Sequence, residues 1–459
     1  MTDPAVADFF KDLPPIAEEL GSRFDKAGHE LHLVGGSVRD AVLGLAPKDM
    51  DFATDARPNA IVRILQGWAD HRYLTGIRFG TVGARKGEHQ LEITTFREEV
   101  YPEDSRHPHV AFAKEIETDL SRRDFTINAM ALRLPDRQFV DPFKGLYDLG
   151  HKVLRTPLEP EISFGDDPLR MLRAARFVAT LEVAPERDVV DAIRRMQDRL
   201  AIVSPERVQE EFSKLIVGPR VELGLQLIVE TGLAEVFLPE LPALRLEQDP
   251  IHRHKDVLQH TLAVVARCPP DLVLRLGALL HDIGKPGTRE ITEEGVQFHH
   301  HEVVGARMAE QRLRALRYPE RIVQDVRALV EMHLRFHSYL SWTDGGLRRY
   351  VRDAGPLLDR LNLLTRADTT TANPAKAREF ARLQDELEER VARLAEEENI
   401  QAIRPPLDGN QIMQRLGIPP GPLVGEAREY LLELRMDRGP IEEDEAYQLL
   451  DEWAREKGL

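Results

Sequence analysis

Asp49 and Asp51 stand one residue apart in "KDMDFAT", and on an extended strand such residues share a face at roughly 6.5–7 Å. Two carboxylates so placed suit hard cations such as Mg2+. A pair of such cations can clamp the attacking and leaving oxygens of an in-line phosphoryl displacement. Just upstream, "LVGGSVRD" ends a short apolar run in Gly35 and Gly36. Lacking Cβ atoms, these residues let backbone approach a triphosphate, and Arg39 supplies charge to neutralise it. Glu92 alternates with apolar residues in "QLEITTFR" and is the candidate third carboxylate. Asp-x-Asp alone is common in surface turns; the glycine pair and Arg39 at this spacing give it meaning.

Two other sets carry chemistry. In "DDPLRMLRAARF", Asp167 and Arg170 read as i, i+3 neighbours on one helix over 166–181. A carboxylate only accepts hydrogen bonds and a guanidinium only donates them. Cytosine and adenine each present an amino donor beside a ring-nitrogen acceptor, whereas guanine and uracil present the reverse. An Asp–Arg fork therefore takes C and A and refuses G and U. The second set is His260, His281–Asp282 in "ALLHDIGKPGT", one histidine of "FHHHEVVGA", and Asp368 in "LTRADTTT". Imidazole and carboxylate together suit Mn, Fe, Ni or Zn. Which of His299, His300 and His301 points inward is open, with "HE-x-x-G" favouring His301. Lys285 and Arg289 could bind phosphate, so a phosphomonoester or 2′,3′-cyclic phosphate is the expected substrate there.

The elements that must hold these residues divide the chain in two. Up to about residue 155, helix 5–29, strand "HLVGG", a helix from Ser37, strand "MDFAT", helix 60–69 and the strand pair "FGTVGARKG"/"QLEITTFR" alternate as in a mixed α/β domain. Beyond it the periodicity is helical almost throughout, including 187–199, 205–217, 220–231, 255–267 and 272–281. "REFARLQDELEERVARLAEEENI" reads as a charged, heptad-like helix. The fold class is α+β, an α/β head on a long helical body. The expected domains are a head (1–155), a helical neck (156–245), a metal-site domain (246–375) and a helical tail (376–459).

At 459 residues with net charge −16, the chain argues against broad nucleic-acid binding, yet seven arginines crowd residues 170–199 as a local basic strip. Cys268 is the single cysteine, which excludes internal disulfides and zinc–thiolate sites. No apolar run approaches the ~20 residues of a membrane span, and "MTDPAVADFF" is no secretory signal. A cytoplasmic location is expected; oligomeric state is not legible.

The stretch "GGSVRDAVLG…KDMDFAT" resembles the first motif of the nucleotidyltransferase family of tRNA CCA-adding enzymes and bacterial poly(A) polymerases. "RRDFTINAMAL", "DPFKGLYDLGHKVLR", "DDPLRMLRAARF" and "SPERVQEEFSKLI" resemble its later motifs in order. The resemblance is to the bacterial and eukaryotic class. It implies a polymerase β-like head, CTP, ATP and the tRNA 3′ end as partners, and nucleotide contacts at Gly35, Gly36, Arg39, Arg123, Asp167, Arg170, Arg173 and Arg176. Asp166 stands where the family often has Glu. "HDIGKP" is similar to the HD phosphohydrolase superfamily, in which His301 and His333 match positions that serve a second metal in some members.

"TGIRFGTVGARKG" resembles the CCA-adding pattern more than the basic poly(A) polymerase signature. The loop Arg97–Ser121, needed in the family for the switch to A, has full length. Complete CCA addition is therefore expected ahead of poly(A) synthesis or partial CC-only or A-only addition. A reading from another class is a metal-dependent phosphohydrolase whose head merely binds nucleotide.

Overall fold

The computed structural model describes residues 8–45, 49–100, 109–246, 256–292, 295–369, 373–397 and 403–459, in two compact units, 1–242 and 243–459.

The first unit is built on a seven-stranded sheet. Strand β1 (Leu31–Val34) is buried along its whole length, and β2 (Asp49–Thr54) lies beside it with Met50 and Phe52 in the core. The other strands are β3 (His71–Tyr73), β4 (Thr81–Lys86), β5 (His89–Thr95), β8 (Ala131–Leu134) and β9 (Gln138–Val140). Their spatial order is β3-β4-β5-β2-β1-β8-β9, and every pairing is antiparallel except β2 with β5. A separate ribbon pairs β6 (Arg97–Val100) with β7 (His109–Phe112). Between them, residues 101–108 of the expected switching loop lie outside the described residues.

Period-two alternation gives the sheet two unlike faces. Val82 and Ala84 of β4 and Leu91 and Ile93 of β5 are buried, and the helix Pro58–Ile64 packs on these strands. Their alternate neighbours Arg85, Gln90 and Glu92 are exposed. The amphipathic helix expected over 5–29 forms as Pro15–Lys26, and its Leu20 and Phe24 are fully buried. The Pro14–Pro15 pair sets its start, since proline is tolerated at the first turn and not inside a helix.

The helix expected over 166–181 is two helices, Pro160–Asp166 and Leu169–Leu181. Pro168 is the cause, because a proline disfavours helical geometry at the residue before it. Asp167 is accordingly extended, at φ −139 and ψ 100. Helices Pro205–Ile216 and Val221–Glu230 pack against Leu169–Leu181.

In the second unit, helix Leu272–Leu280 is buried from Val273 to Leu280 and packs against Val257–Arg267, Glu320–Met332 and Leu358–Asp368. Helix His301–Ala315 pairs with Glu320–Met332. The heptad-like segment is the helix Pro374–Glu397. Gly409–Leu416, Pro422–Arg438 and Glu443–Lys457 close around their own core of Leu407, Ile412, Leu431, Leu450 and Trp453. No helix among the described residues is long and apolar enough to cross a membrane.

Candidate functional site

The first site grows from the β1 turn. Gly35 has φ +69, a conformation that favours glycine. A Cβ there would also lie 2.7 Å from Arg123 Nη1, so any side chain would displace that guanidinium. The helix Gly36–Val42 follows, and Ser37 Oγ accepts the backbone N–H of Asp51 at 3.2 Å. That bond ties the glycine turn to β2. Asp51 stands directly opposite Glu92 across the parallel β2–β5 pair, and Asp49 opposite Gln90. Asp51 and Glu92 are both exposed on one face. Asp51 and Glu92, two of the three expected carboxylates, therefore share a sheet face beside the glycine turn, while the Asp49 side chain lies outside what the structure describes.

The arginines are held by a chain of buried acids. Arg39 donates Nη1 to Asn128 Oδ1 at 2.7 Å, and Asn128 donates Nδ2 to Asp124 Oδ1 at 2.9 Å. Asp124 Oδ2 accepts from Arg173 Nε and Nη2 at 2.9 and 2.6 Å. Arg173 and Arg176 both reach Glu211, at 3.1 and 3.0 Å. Asp119, fully buried, receives Arg122 at 2.8 Å and Arg123 at 3.2 Å. Burial disfavours charge on Asp119 and Asp124, but the adjacent guanidiniums prevail and hold both below the usual carboxylate range. Burial, with Arg173 alongside, lowers Arg176 to about 10, so it stays charged at neutral pH. Arg122, Arg123 and Arg173 line a cavity of about 330 Å³ together with Asp167, Arg170 and Arg207.

The expected fork does not form as an intrahelical pair. Asp167 precedes the helix rather than lying on it, and its carboxylate pairs with Arg207 at 2.7 Å while accepting from the Leu169 N–H at 3.1 Å. Arg170 is buried and donates Nη1 to Ser163 O and Oγ, at 3.2 and 2.9 Å, and Nη2 to the Arg122 carbonyl. Asp119, Asp124, Asn128, Arg207 and Glu211 were not singled out from sequence. Proline after Asp167, and the Asp124/Asn128 spacing of four, were the available signals.

The second site lies wholly in the second unit. His260 Nε2 is 2.9 Å from Asp368 Oδ1 and 3.8 Å from Asp282 Oδ2. His281 Nε2 is 3.2 Å from Asp282 Oδ2, and His301 Nε2 is 3.4 Å from Asp282 Oδ1. Two groups, His260–His281–Asp282 and Asp282–His301–His333, each have ligand atoms within 4.8 Å of one another and share Asp282. His301 is thus the inward histidine, while His299 and His300 are exposed.

The histidine tautomers indicate what this donor set can hold. Nδ1 of His281, His301 and His333 faces a backbone carbonyl, of Ala278, Phe298 and Val330, at 2.7, 3.1 and 2.6 Å. A protonated Nδ1 leaves the Nε2 lone pair pointing inward, and all three Nε2 atoms are buried without a hydrogen-bond partner. Lone pairs facing carboxylate oxygens call for a cation, and the donor set fits a divalent metal. Burial opposes charge on His281, yet the field of Asp282 and Asp368, the same field that favours a cation here, pushes its pKa up to about 10. Lys285 also reaches Asp282, at 2.7 Å. A Cβ on Gly284 would fall 2.2 Å from the His301 carbonyl, so this glycine lets the His-Asp turn meet the neighbouring helix.

Comparison with known proteins finds relatives for both units of the chain. Residues 31–155 match the "Poly A polymerase head domain", residues 183–244 the "Probable RNA and SrmB- binding site of polymerase A", and residues 257–373 the "HD domain". An A-adding tRNA nucleotidyltransferase of Deinococcus radiodurans is 34% identical over 437 residues, 92% of this chain and 95% of that protein. A CCA-adding enzyme of Lactobacillus helveticus is 40% identical over 229 residues, 50% of this chain and 55% of that one. The chain thus matches about half the length of that CCA-adding relative. Among solved structures, the Bacillus stearothermophilus CCA-adding enzyme in complex with CTP has a TM-score of 0.72 at 26% identity, over 97% of this chain and 99% of its own. The Thermotoga maritima CCA-adding enzyme complexed with tRNA shares the fold at 16% identity, with a TM-score of 0.62 over 98% of each chain.

Proposed function

This chain belongs to the family of tRNA nucleotidyltransferases with a poly(A) polymerase head and an HD domain, and from that premise we propose that it adds C, C and A to the 3′ end of tRNA. CTP and ATP are the donors, and no nucleic-acid template is used. The observation that carries this reading is the shared sheet face of Asp51 and Glu92 beside the Gly35–Gly36 turn, with Arg39 and Arg123 at that turn.

In the reaction, the RNA 3′ hydroxyl gives its proton to solvent and its oxygen bonds the α-phosphorus, while the α–β P–O bond breaks and pyrophosphate leaves with the electron pair. Asp49 and Asp51, with Glu92 as third carboxylate, would hold Mg2+, which would supply charge neutralisation at the attacking and leaving oxygens. Arg39 and Arg123 neutralise the triphosphate. Arg173 and Arg176 add positive potential and are set in place by Asp124 and Glu211. Asp167 accepts from the amino group of C or A. Its ring-nitrogen donor is a cavity guanidinium: Arg207 is already paired with Asp167, and Arg170 would exchange its Ser163 bonds to serve.

The proposed division of labour follows domains at 1–155, 156–245, 246–375 and 376–459. In the third, His260, His281, Asp282 and Asp368 would hold a transition metal (Ni, Mn, Fe or Zn), and His301 and His333 with Asp282 would serve a second ion. Such a site hydrolyses a phosphomonoester or a 2′,3′-cyclic phosphate, with Lys285 beside the phosphate.

A-only addition is the second reading, because an A-adding Deinococcus protein matches nearly end to end. Three tRNA transcripts, ending before CCA, after C and after CC, each given one labelled NTP, separate the readings. Complete addition gives C, C and A on the three in turn. A-only addition labels the last alone, and repeated A on any RNA would mean poly(A) synthesis. No incorporation on any transcript would refute nucleotidyl transfer.

A further inference from the structure

The register of the sheet runs a single row of residues from the carboxylates to its open edge. Asp51 is opposite Glu92, Glu92 opposite Gly83, and Gly83 opposite Tyr73. Paired residues put their side chains on the same face, so Tyr73 shares the face of Asp51 and Glu92. The next row on that face holds Gln90, Arg85 and His71. Tyr73 is 49% exposed, a large ring left in water on an edge strand. A Cβ added to Gly83 would lie 3.3 Å from Tyr73 Cβ and 3.4 Å from Cδ2, so the ring leans over the one bare position between it and Glu92.

Two constraints select the occupant of this strip. The glycine turn, Arg39 and Arg123 lie on the β1 side of Asp51, which assigns the triphosphate to that side. The attacking 3′ oxygen must still reach the carboxylates, so the nucleotide that bears it approaches from β5, β4 and β3. Three strand spacings, roughly 14 Å, separate the Asp51 and Tyr73 backbones, a reach comparable to one nucleotide from its 3′ oxygen to the far edge of its base. Exposed Arg85 in the adjoining row matches its phosphate in charge, and exposed His71 beside it can donate a hydrogen bond. A base stacks on an aromatic ring whatever its identity, which suits an acceptor whose last residue changes as the tail grows.

We propose that this open strip seats the terminal nucleotide of the RNA acceptor, its base stacked on Tyr73 over Gly83 and its phosphate beside Arg85 and His71. The assignment rests on the nucleotidyl-transfer reading above.

The test uses the full chain and a tRNA transcript lacking its final A, with 2-aminopurine as the last base. Stacking quenches 2-aminopurine fluorescence, and the signal needs no turnover. Tyr73→Ala should raise the acceptor KM about tenfold, leave the KM for ATP unchanged and abolish quenching. Tyr73→Phe keeps the ring and should behave as wild type, whereas Gly83→Val should fill the strip and weaken acceptor binding. An unchanged acceptor KM and persistent quenching in Tyr73→Ala overturn the proposal. So does a loss confined to kcat or to the KM for ATP. Wild type that quenches the probe but extends no RNA would retain the seat and overturn the catalytic reading instead.

Discussion

Arg207 donates Nη2 to Asp167 Oδ2 at 2.7 Å, joining helix Pro205–Ile216 to the extended residue that opens helix Leu169–Leu181. The side chains are 47% and 23% exposed, so solvent screens the pair and it adds little stability by itself. Its consequence is orientational. A carboxylate held by Arg207 at Oδ2 and, at 3.5 Å, at Oδ1, which also accepts the Leu169 N–H, presents a defined edge to the cavity.

Asp167 and Arg170 should therefore separate in their effects. Asp167→Ala should lower C and A incorporation together and blur discrimination against U, with a small change in Tm. Arg207→Ala should weaken the same selectivity through Asp167. Arg170→Ala orphans Ser163 and the Arg122 carbonyl, at about 1–3 kcal/mol for each buried group left unpaired, and should lower Tm as well as activity. Single-nucleotide extension with each NTP, read beside thermal unfolding, checks this; intact C and A selectivity in folded Asp167→Ala would place base reading elsewhere.

Loss of either strand carboxylate should stop chemistry without unfolding the head. Asp51→Ala or Asp49→Ala should cut addition of both C and A by at least about 100-fold, since metal ligation there supports several kcal/mol of transition-state charge stabilisation. Asp51 is exposed, so Tm and tRNA binding should hold. Substantial residual activity in either variant would contradict the assignment.

The HD ligands all lie in the second unit and the strand carboxylates in the first. His281→Ala with Asp282→Ala should abolish metal-dependent hydrolysis of 2′,3′-cyclic AMP and spare nucleotide addition. Wild type inert with Ni, Mn and Mg alike would remove the phosphohydrolase half of the reading.

His32, at the centre of β1, should give the head an acid-sensitive limb. Burial, aided by Arg133, lowers its pKa from 6.5 to about 4, and its Nδ1 has no hydrogen-bond partner. The unfolded chain binds the proton first, so stability is full above about pH 6.5 and falls as pH drops toward 4. The total loss is roughly 3 kcal/mol, about 1.4 per pH unit. His32→Leu should flatten that limb in urea titrations between pH 7 and 5; an unchanged slope would show that other groups govern it.

Local chemistry was legible in the sequence wherever the argument needed only neighbours along the chain. The strand parity that puts Asp49 and Asp51 on one face follows from a period of two, and the apolar "LHLV" ending in glycines marks a strand and turn. The HD ligands were legible as types because imidazole beside carboxylate on apolar helices has few other uses. Their inward lone pairs were not legible, since Nδ1 partners such as Ala278 O and Val330 O come from helix geometry.

Packing between distant segments decided the rest. Glu92 became the neighbour of Asp51 only through the parallel β2–β5 register, a pairing across 41 residues that local pattern cannot specify. The same holds for Arg39 reaching Asn128 and for Arg207, rather than Arg170, reaching Asp167. Residue types set which groups can pair. A guanidinium can satisfy any acid or carbonyl that burial brings within reach, so its partner is chosen by the tertiary fold that fixes which acceptors are withdrawn from water.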